Sequence, residues 1–224
     1  MKKFFTFLFL LSLILFACNR GTEQPKIIVK VADKKEISPE IGGISIKKKV
    51  ALFRLGNFDI ELFHYVQSQL DSFYNIQTID CGIKELPSKA FVNGRDRYVA
   101  DTLLDYLFQN KPQGAQYALG LTEKDICTKD GNNPYWGIFG LGWQPGPACV
   151  ISTKRFSKGV SNAKLKDRLA KIVLHEMGHN FGLPHCPDHS CLMKAADGKI
   201  SNVDNEKKQL CVNCKRKNNI YSPL

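Results

Sequence analysis

Three histidines, a glutamate and a cysteine fall within the twelve residues HEMGHNFGLPHC, from His175 to Cys186. His175 and His179 are four apart, which on a helix sets them roughly 40° apart around the axis. Both rings can then face one atom. Zinc bonds imidazole nitrogen at about 2.0–2.1 Å, and a catalytic tetrahedral site takes three protein ligands and a water. Glu176 is adjacent to the first ligand, so the same helix carries its carboxylate toward the open position, where it can deprotonate the water. The metal lowers the pKa of that water from ~15.7 to about 7 and polarises a substrate carbonyl. The carboxylate can hand the proton on to a leaving amine. Gly182 suits a left-handed turn ending the helix, and the chain can then return His185 to the metal. The predicted ligands are His175, His179 and His185, with Glu176 as general base. The alternative is a set of helix-end histidines satisfied without metal. The extended spacing through Gly182 and His185 favours the metal.

These side chains need a scaffold. Leu165, Leu169, Ile172 and Val173 form an apolar stripe, and a helix is predicted from about Asn162 to Phe181. Upstream, VALFRL reads as a buried strand and FDIELFHYVQSQLDSF as a helix. NIQTIDC reads as a strand, RDRYVADTLLDYLFQN as a helix and QYALGLT as a third strand. A glycine- and proline-rich stretch follows, with two short strands expected in WGIFGL and ACVIS. Strand and helix alternate, which predicts an α/β layer with a mixed, twisted sheet and an antiparallel edge. An edge strand over residues 136–142 could hold an extended peptide by main-chain hydrogen bonds.

The N-terminus is of another kind. Lys2 and Lys3 precede an apolar run from Phe4 to Ala17. That run is too short for a bilayer-spanning helix of ~20 residues and reads as an export signal, residues 1–17. Leu15-Phe16-Ala17-Cys18 resembles a bacterial lipoprotein cleavage box, which implies lipid on Cys18. Residues 18–47, with Pro25, Pro39 and Gly42-Gly43, read as a polar tether interrupted by a strand at KIIVKV. The folded domain is then 48–224. The expected location is the bacterial cell envelope, with membrane contact through the lipid anchor. Net charge is +11, but its basic clusters are short and scattered and no nucleic-acid motif accompanies them. No nucleic-acid partner is expected, and the chain is expected to be monomeric.

Eight cysteines stand at 18, 81, 127, 149, 186, 191, 211 and 214. The last four form two close pairs, CPDHSC and CVNC, a spacing that suits a four-thiolate zinc. In an exported chain disulfides suit it equally well. Cys81, Cys127 and Cys149 receive no role, although two of them could bond. His189 reads as a loop residue rather than a spare ligand, and His64 as an ordinary surface histidine.

The whole pattern His-Glu-x-x-His-x-x-Gly-x-x-His-Cys, then Cys191-Leu192-Met193 and Cys211-x-x-Cys214, resembles the archaemetzincin signature. RYVADTLLDYL, LGLTEKDI and WGIFGLGW extend the likeness to about Lys48–Asn218. The resemblance implies a metzincin-like zincin domain with an active-site helix and a small C-terminal four-cysteine zinc subdomain. It implies two zinc ions, one catalytic on the three histidines and one structural on Cys186, Cys191, Cys211 and Cys214. Met193 would be the methionine of the turn beneath the catalytic metal, a role compatible with a plain core residue. The expected activity is zinc-dependent hydrolysis of peptides or proteins. The alternatives are a catalytically weak peptide-binding lipoprotein on the same fold and a hydrolase of non-peptide amides.

Overall fold

A computed structural model describes residues 47–218. The export signal, Cys18, nearly all of the tether and KIIVKV lie outside the described residues. In chain order the elements are β1 (Lys48–Leu55), α1 (Ile60–Tyr74), β2 (Ile76–Lys84), β3 (Phe91–Val92) and β4 (Arg97–Val99). Then come α2 (Ala100–Gln109), β5 (Tyr117–Thr122), β6 (Asp125–Asp130), β7 (Asn133–Ile138), β8 (Gly140–Gly142) and β9 (Ala148–Ser152). The helices α3 (Asn162–Asn180), α4 (Ile200–Asn205) and α5 (Val212–Asn218) follow.

The main sheet has the order β2-β1-β5-β9-β8. Its first four strands are parallel, and β8 closes one edge antiparallel to β9. β1, β5 and β9 are apolar on both faces because both faces are covered. Leu52, Leu119 and Ile151 pack toward α1 and α3, whereas Phe53, Ala118 and Val150 pack toward α2. The helix starts are built locally. Asp59 Oδ1 accepts the Leu62 N–H at 2.8 Å to cap α1, and Ser161 caps α3 through Lys164 N at 3.3 Å.

Two expectations need correcting. RDRYV is not helical. Arg97–Val99 is a strand, and the helix begins at Ala100. WGIFGL is not one strand either. Ile138 pairs with Ile126 of β6, whereas the Phe139 carbonyl already accepts the Ser152 N–H of β9 at 2.9 Å. The chain changes sheets at that point. β7 belongs to a separate four-stranded sheet of order β3-β4-β6-β7, and only β8 borders the main sheet. β6 and this second sheet were absent from the sequence reading.

Candidate active site and cysteine cluster

The C-terminal half of α3 is buried from Leu169 to Leu174, which fixes the direction in which the next turn faces. His175, Glu176 and His179 emerge there. The chain stops the helix with Gly182 at φ +89°, the left-handed turn its glycine suggested. His185 returns as expected, and the candidate ligand nitrogens of the three histidines all lie within 4.8 Å of one another. Ring centroids are 4.6 Å apart for His175 and His179, 5.4 Å for His175 and His185, and 4.8 Å for His179 and His185.

The hydrogen bonds of the rings set their chemistry. His175 Nδ1 is 2.8 Å from the Leu192 carbonyl, and His179 Nδ1 is 2.7 Å from the Leu183 carbonyl. A carbonyl only accepts, so each Nδ1 carries the proton and donates it. Each Nε2 keeps its lone pair for a cation. Burial, then the neighbouring His179, pushes the His175 pKa down to about 3. Burial also lowers His179 and His185. All three rings are neutral at physiological pH, the form that ligates. The donor set therefore fits zinc.

Glu176 lies against the edge strand. Its carboxylate accepts the Gly142 N–H, which favours ionisation, but burial dominates and raises its pKa to about 8. A Cβ at Gly140 would sit 2.9 Å from Glu176 Cγ, and one at Gly142 would sit 2.9 Å from the Glu176 carbonyl oxygen. Only glycine lets β8 approach this closely. The glycines of WGIFGLGW were legible as a loop signal, but Gly140 and Gly142 give clearance for the glutamate and Gly137 gives it for the Arg155 guanidinium.

Asn180 was missed in the sequence. Its Nδ2 donates to the Trp143 carbonyl at 3.0 Å and to the Ala148 carbonyl at 2.8 Å, pinning the β8–β9 hairpin to the end of α3. No spacing signal marks it. Met193 is fully buried against Gly178, where a Cβ would meet Met193 Sδ at 2.5 Å. Gly178 is between the two helical histidines, so the methionine packs beneath the turn that carries them.

The second cluster begins one residue after His185. The sulfurs of Cys186, Cys191, Cys211 and Cys214 all lie within 4.8 Å of one another. Cys186 Sγ and Cys211 Sγ are 3.7 Å apart. A disulfide needs about 2.05 Å, whereas a tetrahedron with Zn–S bonds of about 2.3 Å has edges of about 3.8 Å. The spacing fits four thiolates around zinc. The Cys211 N–H donates to Cys191 Sγ at 3.3 Å, which supports a charged sulfur. Burial raises Cys191 and Cys214, whereas at Cys211 the opposing effect of burial is outweighed by a hydrogen bond from the Cys214 N–H and by the neighbouring sulfurs, and its pKa is lowered.

The remaining candidates fall where the sequence placed them or receive no role. His189 is exposed in a loop, and His64 is exposed with Gln67 as its partner at 2.9 Å. Cys81, Cys127 and Cys149 are free thiols. The basic stretch 164–171 is partly consumed internally, since Lys164 and Arg168 both reach Asp204, at 2.9 and 2.8 Å, and Lys171 reaches Asp167 at 3.0 Å.

A helix-borne His-Glu-x-x-His, a third histidine after a glycine turn, and an antiparallel edge strand against the glutamate define a zincin-type metallohydrolase. The family profile "Peptidase family M54" matches residues 60–219. The archaemetzincin of Nanoarchaeum equitans is 32% identical over 165 residues, covering 74% of this chain and 87% of that protein. The crystal structure of Methanopyrus kandleri archaemetzincin superposes with a TM-score of 0.68 at 26% identity, covering 79% of this chain and 96% of that one. The Archaeoglobus fulgidus archaemetzincin structure shares the fold, with a TM-score of 0.65 at 23% identity over 75% of this chain and 99% of that one. The chain belongs to peptidase family M54, the archaemetzincins, and is a zinc metallopeptidase.

Proposed function

We propose that His175, His179 and His185 hold the catalytic zinc, that Glu176 moves the proton, and that Cys186, Cys191, Cys211 and Cys214 hold a second, structural zinc. The observation that carries this reading is the convergence of two Nδ1-anchored imidazoles and a third histidine beside a buried carboxylate at a free sheet edge. Zinc bound there supplies Lewis acidity, which acidifies water and polarises a carbonyl.

The peptide lies along β8. Trp143 N–H donates to the Ala148 carbonyl and the Phe139 carbonyl accepts from Ser152, so these groups face β9. Antiparallel alternation turns the main-chain groups of Gly140 and Gly142 to the outer edge. Gly142 N–H is spent on Glu176. The Gly140 N–H and carbonyl and the Gly142 carbonyl are left for substrate. The predicted docking edge thus contracts from 136–142 to 140–142. Glu176, raised by burial, is basic enough to take a proton from water and acidic enough to deliver it to the leaving nitrogen. Gly142 N–H fixes the carboxylate for both transfers.

A peptidase assay on the zinc-loaded chain tests this. Glu176→Gln should lower kcat/KM by about 10²–10⁴-fold with zinc content unchanged. A chelator should abolish turnover. Equal turnover in the variant would overturn the proton-transfer role, and hydrolysis only of non-peptide amides would overturn the substrate class.

We also infer export and lipid attachment at Cys18, placing a monomeric domain of residues 48–224 on the bacterial envelope by a tether. The support is the basic start, the apolar run and the Leu15–Cys18 box. Mass spectrometry of membrane-derived protein should find a lipidated N-terminal cysteine, lost in Cys18→Ser. An unmodified Cys18 would refute the anchor.

A further inference from the structure

A cavity of about 250 Å³ opens beside the active site. His175, Glu176 and His185 line it, and so do Phe139, Ile172 and Val203. Its lining also includes Glu206, the residue that follows α4. Glu206 is only 5% exposed, and among the described residues its carboxylate makes no hydrogen bond and no ion pair within 4 Å. Its oxygens are not sealed in the protein but keep access to the open space of the cavity, where a ligand can reach them.

The surroundings compensate its charge only in part. Lys171 is the cation it feels most, but Lys171 is committed to Asp167 at 3.0 Å and to the Val203 carbonyl at 3.1 Å. Asp167 works against the carboxylate charge. Lys194 and the exposed Asp197 also line the cavity, with opposite charges. Burial raises the Glu206 carboxyl to about 8, which leaves the acid largely protonated near neutral pH. A cation arriving from solution would restore its ionised form.

We propose that Glu206 is a specificity residue that selects a lysine or arginine side chain next to the scissile bond of the substrate. The inference rests on the peptidase reading above and narrows its substrate class. Phe139, Ile172 and Val203 would cover the aliphatic stem, while the ammonium or guanidinium reaches the carboxylate. The Gly140 edge that holds the peptide backbone borders the same cavity, so one bound peptide can fill both.

The test uses zinc-loaded chain and a peptide series differing only at the two residues flanking the cleaved bond. Lysine, arginine, norleucine, glutamine and glutamate are placed at each position in turn. Lysine or arginine at one position should raise kcat/KM over norleucine by at least about tenfold, the factor a charge-assisted hydrogen bond supports. In Glu206→Gln that ratio should collapse toward one, and in Glu206→Lys the glutamate peptide should become the best of the series. Anisotropy with the same labelled peptides on the zinc-loaded Glu176→Gln protein gives the preference without turnover. Lysine and norleucine peptides treated alike by the wild type would overturn the proposal, as would a preference that survives Glu206→Gln. So would glutamine as the best residue, which would mean that Glu206 stays protonated and donates. If Glu176→Gln and chelation leave hydrolysis intact, the peptidase mechanism fails, and the anisotropy series still decides for or against the pocket.

Discussion

The two candidate metal clusters are joined by the single peptide bond between His185 and Cys186, yet they are built on different principles. The histidine cluster stands on α3, a 19-residue helix packed in the core, and two of its rings are anchored by backbone carbonyls. Its rings are already in the ligating state. The cysteine cluster joins a loop to a short helix. Cys186 and Cys191 precede α4, Cys211 precedes α5, and Cys214 is inside α5. Only helices of six and seven residues occur in that region. Helices that short do not hold themselves together. At the first site the fold makes the metal site. At the second, the proposed zinc would supply a share of the fold, and the thiols would have to shed protons to bind it.

The sharpest way to break this contrast is to remove one ligand from each site. Cys214→Ser leaves three thiols and frees a segment whose Cys191, Leu192, Met193, Val203 and Leu210 pack into the main core. The expected cost is about 4 kcal/mol, or roughly 8–16 °C in Tm for a domain of this size. His179→Ala should abolish turnover and one zinc equivalent while moving Tm by less than about 5 °C, because α3 is held by its apolar face. Thermal unfolding with zinc counted per chain reads both. Equal Tm losses in the two variants would show that the sites do not divide the labour in this way.

The contrast also explains what the sequence could disclose. His175, Glu176, His179, Gly182 and His185 form a local pattern, since helix pitch and one glycine turn dictate where they point. β1, β5 and β9 were legible because strands buried on both faces are apolar throughout. Short strands carry no such mark. Arg97–Val99 directly precedes α2 and merges with its apolar period. WGIFGL has one apolar texture across two sheets, and the switch at Phe139 follows from partners distant in sequence. Asn180 and Glu206 are single polar residues without a repeat, and the significance of each comes from what packs around it. Gly140 and Gly142 were visible as glycines, but their reason, the glutamate opposite, was not.

A smaller break is aimed at the interface between the sites. In Gly178→Ala the new methyl falls 2.5 Å from Met193 Sδ, so either the helix or the methionine must shift. Overpacking of this kind costs about 1–3 kcal/mol. The Cys186 N–H donates to the Met193 carbonyl at 2.7 Å, so a displaced Met193 also disturbs the cysteine loop. The prediction is a Tm lower by about 2–12 °C together with weaker zinc retention at the cysteine site. If kcat alone fell and both zincs stayed, Met193 would serve the histidines only.

The smallest expected effect lies in the ion pairs that tie the catalytic helix to the segment between the two clusters. Asp204 on α4 accepts Arg168 Nε and Nη2 of α3, each at 2.8 Å, and Lys164 lies 2.9 Å away. Arg168 also donates to the Phe156 carbonyl at 2.9 Å, which holds the guanidinium flat for the fork. The Arg168 hydrogen bonds hold the Asp204 carboxyl well below the usual carboxylate range. A depressed folded pKa gives stability that is complete above the unfolded value of about 3.9 and fades as pH falls through the folded one. Asp204→Asn should therefore cost about 2 kcal/mol, steady from pH 5 to 8, with the gap to wild type narrowing below about pH 4. Denaturant titrations across that range, with both zincs counted, measure it. A gap that widens in acid would reverse the sign of the linkage. Zinc loss from the cysteines at neutral pH would mean that α4 is held by Asp204 rather than by the metal, and the division between a fold-made site and a metal-made one would move one helix toward the C-terminus.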